Sequence, residues 1–156
     1  MKCEIRRFVA LSAMLALFAS PMAMAAGERG TPDEAKNLVK KAIAFFKANG
    51  KDKAIAALND PKGQFIDRDL YVFVHDDKGI YYAIAPKPAF LGKDMSGVKD
   101  ANGKLIVQEQ IDVLKTAPNM WQEYDWQNPV SGKIEHKKTY CEKLDGFHFC
   151  SGAYSS

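Results

Sequence analysis

Apolar positions along this chain fall into three patterns. From Phe8 to about Ala19 they are nearly continuous, behind a basic start (Lys2, Arg6, Arg7) and ahead of Ala23-Met24-Ala25. Charge, a short apolar run and small residues in that order predict a secretory signal peptide over residues 1–25. Ser20-Pro21 interrupts the run well short of the ~20 apolar residues a spanning helix needs. Cys3 precedes the run and does not read as a lipid attachment site. Residues 26–156 are therefore expected to remain as one domain, periplasmic or secreted, with no stable membrane insertion after cleavage.

The second pattern is helical. Ala35, Leu38, Val39, Ala42, Ile43 and Phe46 repeat at the spacing of one buried stripe. Thr31-Pro32-Asp33-Glu34 supplies an N-cap, a proline at the first helical position and an acidic residue at the capping-box position, and Asn49-Gly50 ends the helix. A shorter helix is predicted from about Asp52 to Leu58, before Pro61. Another is predicted from about Lys104 to Thr116, with Ile106, Ile111 and Leu114 turned inward.

The third pattern is β. Leu70 to His75 is rich in aromatic and β-branched residues, Asp76-Asp77-Lys78-Gly79 is a turn, and Ile80 to Ile84 returns. Pro86, Pro88, Gly92 and Gly97 mark a long irregular connection. Trp121 to Trp126, about Glu135 to Leu144, and Phe147 to Tyr154 read as three further strands. The sum is an α+β domain with an antiparallel sheet and helices packed on one side.

Cysteine spacing adds a covalent constraint. Cys141 and Cys150 are the two cysteines beyond the leader, and an even pair outside the cytoplasm reads as a disulfide. Asp145-Gly146 is a strong signal for a type I′ hairpin. Centring the turn there pairs Leu144 with Phe147 and, counting outward, Cys141 with Cys150 at a non-hydrogen-bonded position, where Cα atoms lie ~4.5 Å apart. A C-x₈-C spacing with no second ligand pair argues against a metal site or a redox dithiol.

Charge and motifs then exclude more than they assign. Removing Lys2, Arg6, Arg7 and Glu4 from 22 basic and 19 acidic residues leaves a net charge of +1, no basis for a nucleic-acid partner. No catalytic nucleophile motif, phosphate loop or haem-attachment motif is present, so no enzyme activity, cofactor or metal is expected. His75, His136 and His148 are scattered over different strands and are expected at the surface or a sheet edge. What remains is a set of aromatic and cationic strand residues, among them Tyr71, Phe73, Tyr81, Tyr82, Tyr124, Trp126, Lys137, Lys138 and Tyr140. Most strand aromatics are core, yet phenol hydroxyls and an ammonium converging on a sheet supply the donors that a small anion needs.

Several segments, taken in order, resemble the single Cache domain. They are Asp60-Pro61-Lys62-Gly63-Gln64-Phe65, Asp69-Leu70-Tyr71-Val72-Phe73-Val74, Gly92-Lys93-Asp94, Lys99-Asp100-Ala101-Asn102-Gly103, Trp121-Gln122-Glu123-Tyr124, Asn128-Pro129, Lys137-Lys138-Thr139-Tyr140 and Ser151-Gly152-Ala153-Tyr154. The likeness is colinear from about Thr31 to Tyr154. It implies a PAS-like antiparallel sheet of about five strands with a long N-terminal helix and further helices packed on it. It also implies a sensory role, the usual setting being the extracytoplasmic sensor of a chemoreceptor or histidine kinase that takes small organic acids such as acetate, propionate or pyruvate.

Carried over by position, the resemblance places Tyr71, Trp126, Lys137 and Tyr140 at the ligand. Phe73, Tyr82 and Lys138 complete the candidate set. Lys137 and Tyr140 differ by an odd number and face opposite sides of a regular strand, so both reach one ligand only across a bulge, or Lys138 replaces Lys137. Where relatives often have a histidine before proline, this chain has Ile84-Ala85-Pro86. No signalling module is expected after the domain, and the expectation is therefore a free periplasmic binding domain that presents its ligand to a membrane-bound receptor or kinase. The alternative is an interaction scaffold whose pocket is packed shut.

Overall fold

The computed structural model describes residues 29–155; the predicted leader and its cleavage site lie outside them. Helix α1 (Pro32–Asn49) begins at the predicted cap, where Thr31 Oγ1 accepts from the Glu34 backbone N–H and the Glu34 carboxylate accepts from the Thr31 N–H. Gly50, at φ +78°, turns the chain into α2 (Lys51–Leu58). The predicted stripe from Ala35 to Phe46 is buried throughout.

Seven strands follow, with α3 (Ile106–Leu114) between the fourth and fifth: β1 (Ile66–Asp67), β2 (Leu70–Tyr71), β3 (Phe73–Asp76), β4 (Tyr81–Ile84), β5 (Asn119–Gln127), β6 (Ile134–Leu144) and β7 (Phe147–Ser155). The main sheet runs β4-β3-β7-β6-β5, every neighbouring pair antiparallel. The run predicted as one strand from Leu70 to His75 is broken at Val72. Arg68 takes φ +57° and folds β1 back on β2 as a separate ribbon, and only Phe73 onward joins the main sheet.

Alternation along the strands makes two cores. Val72, Val74, Ala83, Tyr140, Phe149 and Ala153 face α1 and α2. Tyr71, Phe73, Tyr81, Ile84, Cys141, Cys150 and Tyr154 pack with Met95 of the long connection and with Val107, Ile111 and Leu114 of α3. Helices thus flank both faces, a correction to the one-sided packing expected, because an apolar stripe reveals that α3 is covered but not by which face.

The last hairpin follows the turn chemistry. Asp145 (φ +50°) and Gly146 (φ +76°) form the turn, Leu144 pairs with Phe147, and Cys141 pairs with Cys150. The two cysteines are disulfide-bonded with their Cα atoms 4.1 Å apart. The histidines depart from expectation. His136 is exposed, but His75 and His148 are fully buried on the α3 side of the sheet, where their rings meet edge to face.

Candidate functional site

Between the α3 face of the sheet and the connection that precedes α3 lies a narrow cavity. Tyr71 and Phe73 come from β2 and β3, Tyr81 and Ile84 from β4, and Tyr124 and Trp126 from β5. Phe90, Met95 and Val98 close it from the connection, with Ile106 and Val107 at the start of α3. The room open to the centre of a water molecule is about 20 Å³, enough for a water or two. The Phe73 and Tyr81 rings stack at 5.9 Å and hold the β3 and β4 walls together.

Behind Tyr71 and Phe73 lies the Lys137 ammonium. It donates to the Tyr71 hydroxyl at 2.9 Å and sits 4.1, 4.7 and 5.4 Å from the ring centres of Tyr71, Tyr154 and Phe73. Tyr71 Oη lies 3.2 Å from Tyr154 Oη, which donates to the Gln127 carbonyl at 3.1 Å. That carbonyl only accepts, so the chain has one direction: Lys137 to Tyr71, Tyr71 to Tyr154, Tyr154 to Gln127. Lys137 is wholly buried, and among the described residues it makes no ion pair with any carboxylate. Two of its three N–H donors have no hydrogen-bond acceptor there.

Burial drives the Lys137 amine below its ordinary range, opposed by Tyr71 and by the more distant Asp69. The same desolvation pushes the Tyr81, Tyr124 and Tyr154 phenols upward, which keeps them neutral. Gly152 makes room for the lysine. A Cβ there would stand 2.2 Å from Thr139 Oγ1 and 2.8 Å from Lys137 Cε.

Of the expected site residues, Tyr71, Phe73 and Trp126 line the cavity and Lys137 stands behind two of them. Three others lie elsewhere. Lys138 is on the opposite face of β6, where it pairs with Glu123 at 3.1 Å. Tyr140 shares that face, joins the core under α1 and donates to Glu142 at 2.8 Å. Tyr82 sits at a register slip between β3 and β4, which turns its ring onto Phe147 of the α1 side. No bulge interrupts β6, so the parity of 137 and 140 holds and only Lys137 faces the cavity side. The candidate set omitted Tyr154. Its signal was available, since hairpin counting from Asp145-Gly146 pairs residue 154 with Lys137.

Residues 11–153 match the family model described as single Cache domain 2. The chain belongs to this family. Three solved structures share the architecture of this Cache domain. A methyl-accepting chemotaxis protein from Vibrio parahaemolyticus is 25% identical with a TM-score of 0.66, over 78% of this chain and 86% of that one. A periplasmic sensor domain of a chemotaxis protein is 23% identical (TM-score 0.62, 80% and 90% covered). A Cache chemosensory domain solved for its carboxylic acid recognition is 21% identical (TM-score 0.62, 80% and 88% covered). In sequence, 86 residues are 30% identical to the sensor histidine kinase MctS of Rhizobium johnstonii, covering 54% of this chain and 18% of that protein. The chain thus matches less than a fifth of that relative's length. Among the described residues, no helix is long and apolar enough to cross a membrane.

Proposed function

We propose that this Cache domain is an exported sensor module that binds a short organic acid, its carboxylate held by the Lys137 ammonium and by the Tyr71 hydroxyl once that hydroxyl turns its proton from Tyr154 to the ligand. One observation carries the reading: a fully buried ammonium with two free donors and no anionic partner among the described residues. Such a charge is costly without a counter-charge, and a carboxylate supplies one together with acceptors for both donors. The apolar walls suit a ligand of two or three carbons such as acetate, propionate or pyruvate. The carboxylic acid recognition of one structural relative supports the same class.

On this reading residues 1–25 are removed on export, the mature protein acts in the periplasm or outside the cell, and a membrane-bound receptor or kinase receives the signal. The kinase identity of the sequence relative supports that partner class. Calorimetry and thermal shift with acetate, propionate and pyruvate test the site. A ligand at 100 times its Kd adds about 2.7 kcal/mol of stability, an easily read rise in melting temperature. The narrowness of the cavity favours the second reading, an interaction scaffold with the pocket packed shut. Binding requires Phe90, Met95 and Val98 to step outward; if none of the three acids binds, the scaffold reading stands.

A further inference from the structure

Two amides and an imidazole form a hydrogen-bonded chain on the cavity side of the sheet. Gln122 Nε2 donates to the Ile106 carbonyl at 3.0 Å, Gln110 Nε2 donates to Gln122 Oε1 at 2.7 Å, and His75 Nε2 lies 2.9 Å from Gln110 Oε1. The other ring nitrogen, His75 Nδ1, lies 3.0 Å from the Asp76 carbonyl. Both ends are backbone carbonyls, which only accept. Gln122 must offer its NH₂ to Ile106, so its oxygen accepts from Gln110, whose own oxygen is then turned to His75. Both nitrogens of His75 therefore face acceptors, and only the imidazolium donates from both. A neutral ring sets one lone pair against another at a site where His75 and Gln110 are fully buried.

The surroundings divide. Burial holds His75 below its ordinary value, while the carboxylates of Asp76 and Asp77 favour its cation. From β7, His148 meets His75 edge to face at 4.8 Å and has its pKa lowered to about 4, mainly by burial, with Nε2 on Asp77 at 3.0 Å and Nδ1 without a partner among the described residues. From β6, Lys143 engages the same Asp77 at 2.8 Å. From β4, Tyr81 stacks on His75 at 5.5 Å and lines the cavity. From α3 the facing group is the uncharged Gln110.

We propose that His75 is a proton-binding site coupled to the cavity: a proton completes the Asp76–His75–Gln110–Gln122–Ile106 chain and sets a positive charge behind Tyr81. A carboxylate in the cavity and a proton on His75 then favour each other, and by linkage each tightens the other by the same factor. The coupling rests on the carboxylate reading above; the proton site does not.

Histidine-selective ¹H–¹⁵N NMR on the protein from about pH 8 to pH 4, with and without saturating sodium acetate, tests both parts. His75 is expected to titrate within the folded state, below the ordinary histidine range. Gln110→Leu removes the acceptor and is expected to move the titration down by about one pH unit, the equivalent of one hydrogen bond. Gln122→Leu frees Gln110 to turn its NH₂ toward the ring and is expected to act in the same direction. A His75 that stays neutral until acid unfolding, or that titrates unchanged in both variants, overturns the proton site. Acetate that binds without raising the His75 titration overturns the coupling. If acetate does not bind while His75 titrates as expected, the carboxylate reading and the coupling fall and the proton site stands.

Discussion

Replacing Lys137 by methionine separates structure from binding, because the two effects have opposite signs. The substitution removes a charge-assisted hydrogen bond to Tyr71, of order 1.5–3 kcal/mol, and the ammonium's attraction to three rings, about 0.5–2 kcal/mol. Against this, it removes the penalty of a fully buried ammonium with no counter-ion among the described residues, effectively several kcal/mol, and fills the same space with an apolar chain. The expected balance is a gain of about 1–2 kcal/mol in the ligand-free protein. For a domain of this size that is roughly 4–8 °C in Tm. Acetate binding should weaken by about 10- to 150-fold, the value of one charge-assisted bond. Calorimetric melts without ligand and titrations with acetate read the two effects separately. A Tm that falls in the variant refutes the reasoning, since the lysine would then be a net structural member. Unchanged acetate affinity removes Lys137 from the site.

Three further variants and one processing event give independent tests. Changing Cys141 and Cys150 to alanine opens a ten-residue segment and should cost about 2–3 kcal/mol by the chain-entropy account, seen as a matching fall in denaturation midpoint that reductant reproduces in the wild type. Gly152→Ala drives a Cβ into Thr139 and Lys137 and should cost about 1–3 kcal/mol by overpacking while also weakening acetate; a neutral effect would mean that β6 and β7 part easily there. Arg29, with help from Ser131 and Asn128, holds the Glu135 carboxyl at about 2, below its ordinary value. A carboxyl depressed in the folded state stabilises above its unfolded pKa and loses that contribution as pH falls from about 5 toward 2. Glu135→Gln should therefore be less stable at neutral pH and lose less on acidification across that window, measured by urea unfolding at several pH values. Mass spectrometry of the exported protein should place the N-terminus at Ala26, and recovery of Met1 would defeat the leader.

Local chemistry made much of this domain legible from sequence. The capping box at Thr31, the buried stripe of α1 and the Asp145-Gly146 turn each act within a few residues, so spacing alone specifies them. The turn also determined the Cys141–Cys150 pairing, because a two-residue hairpin leaves one register, and that register carries Lys137 to Tyr154 as well. Strand parity foretold the conflict between Lys137 and Tyr140, although not which of the two would face the cavity.

Tertiary structure decided that choice. A strand's alternation defines two faces but does not name them, and the names come from what packs on each: α1 on the side of Tyr140, α3 and its connection on the side of Lys137. The slip that turns Tyr82 away from the cavity is a property of the β3–β4 pair, and neither strand carries it alone. The burial of His75 has the same origin. Its neighbours in the chain, Val74 and Asp76, read as an ordinary strand end, and only the arrival of Gln110 from α3 and His148 from β7 gives the ring its partners. Such contacts join residues 35 and 73 positions apart, a separation across which residue spacing carries no information about distance.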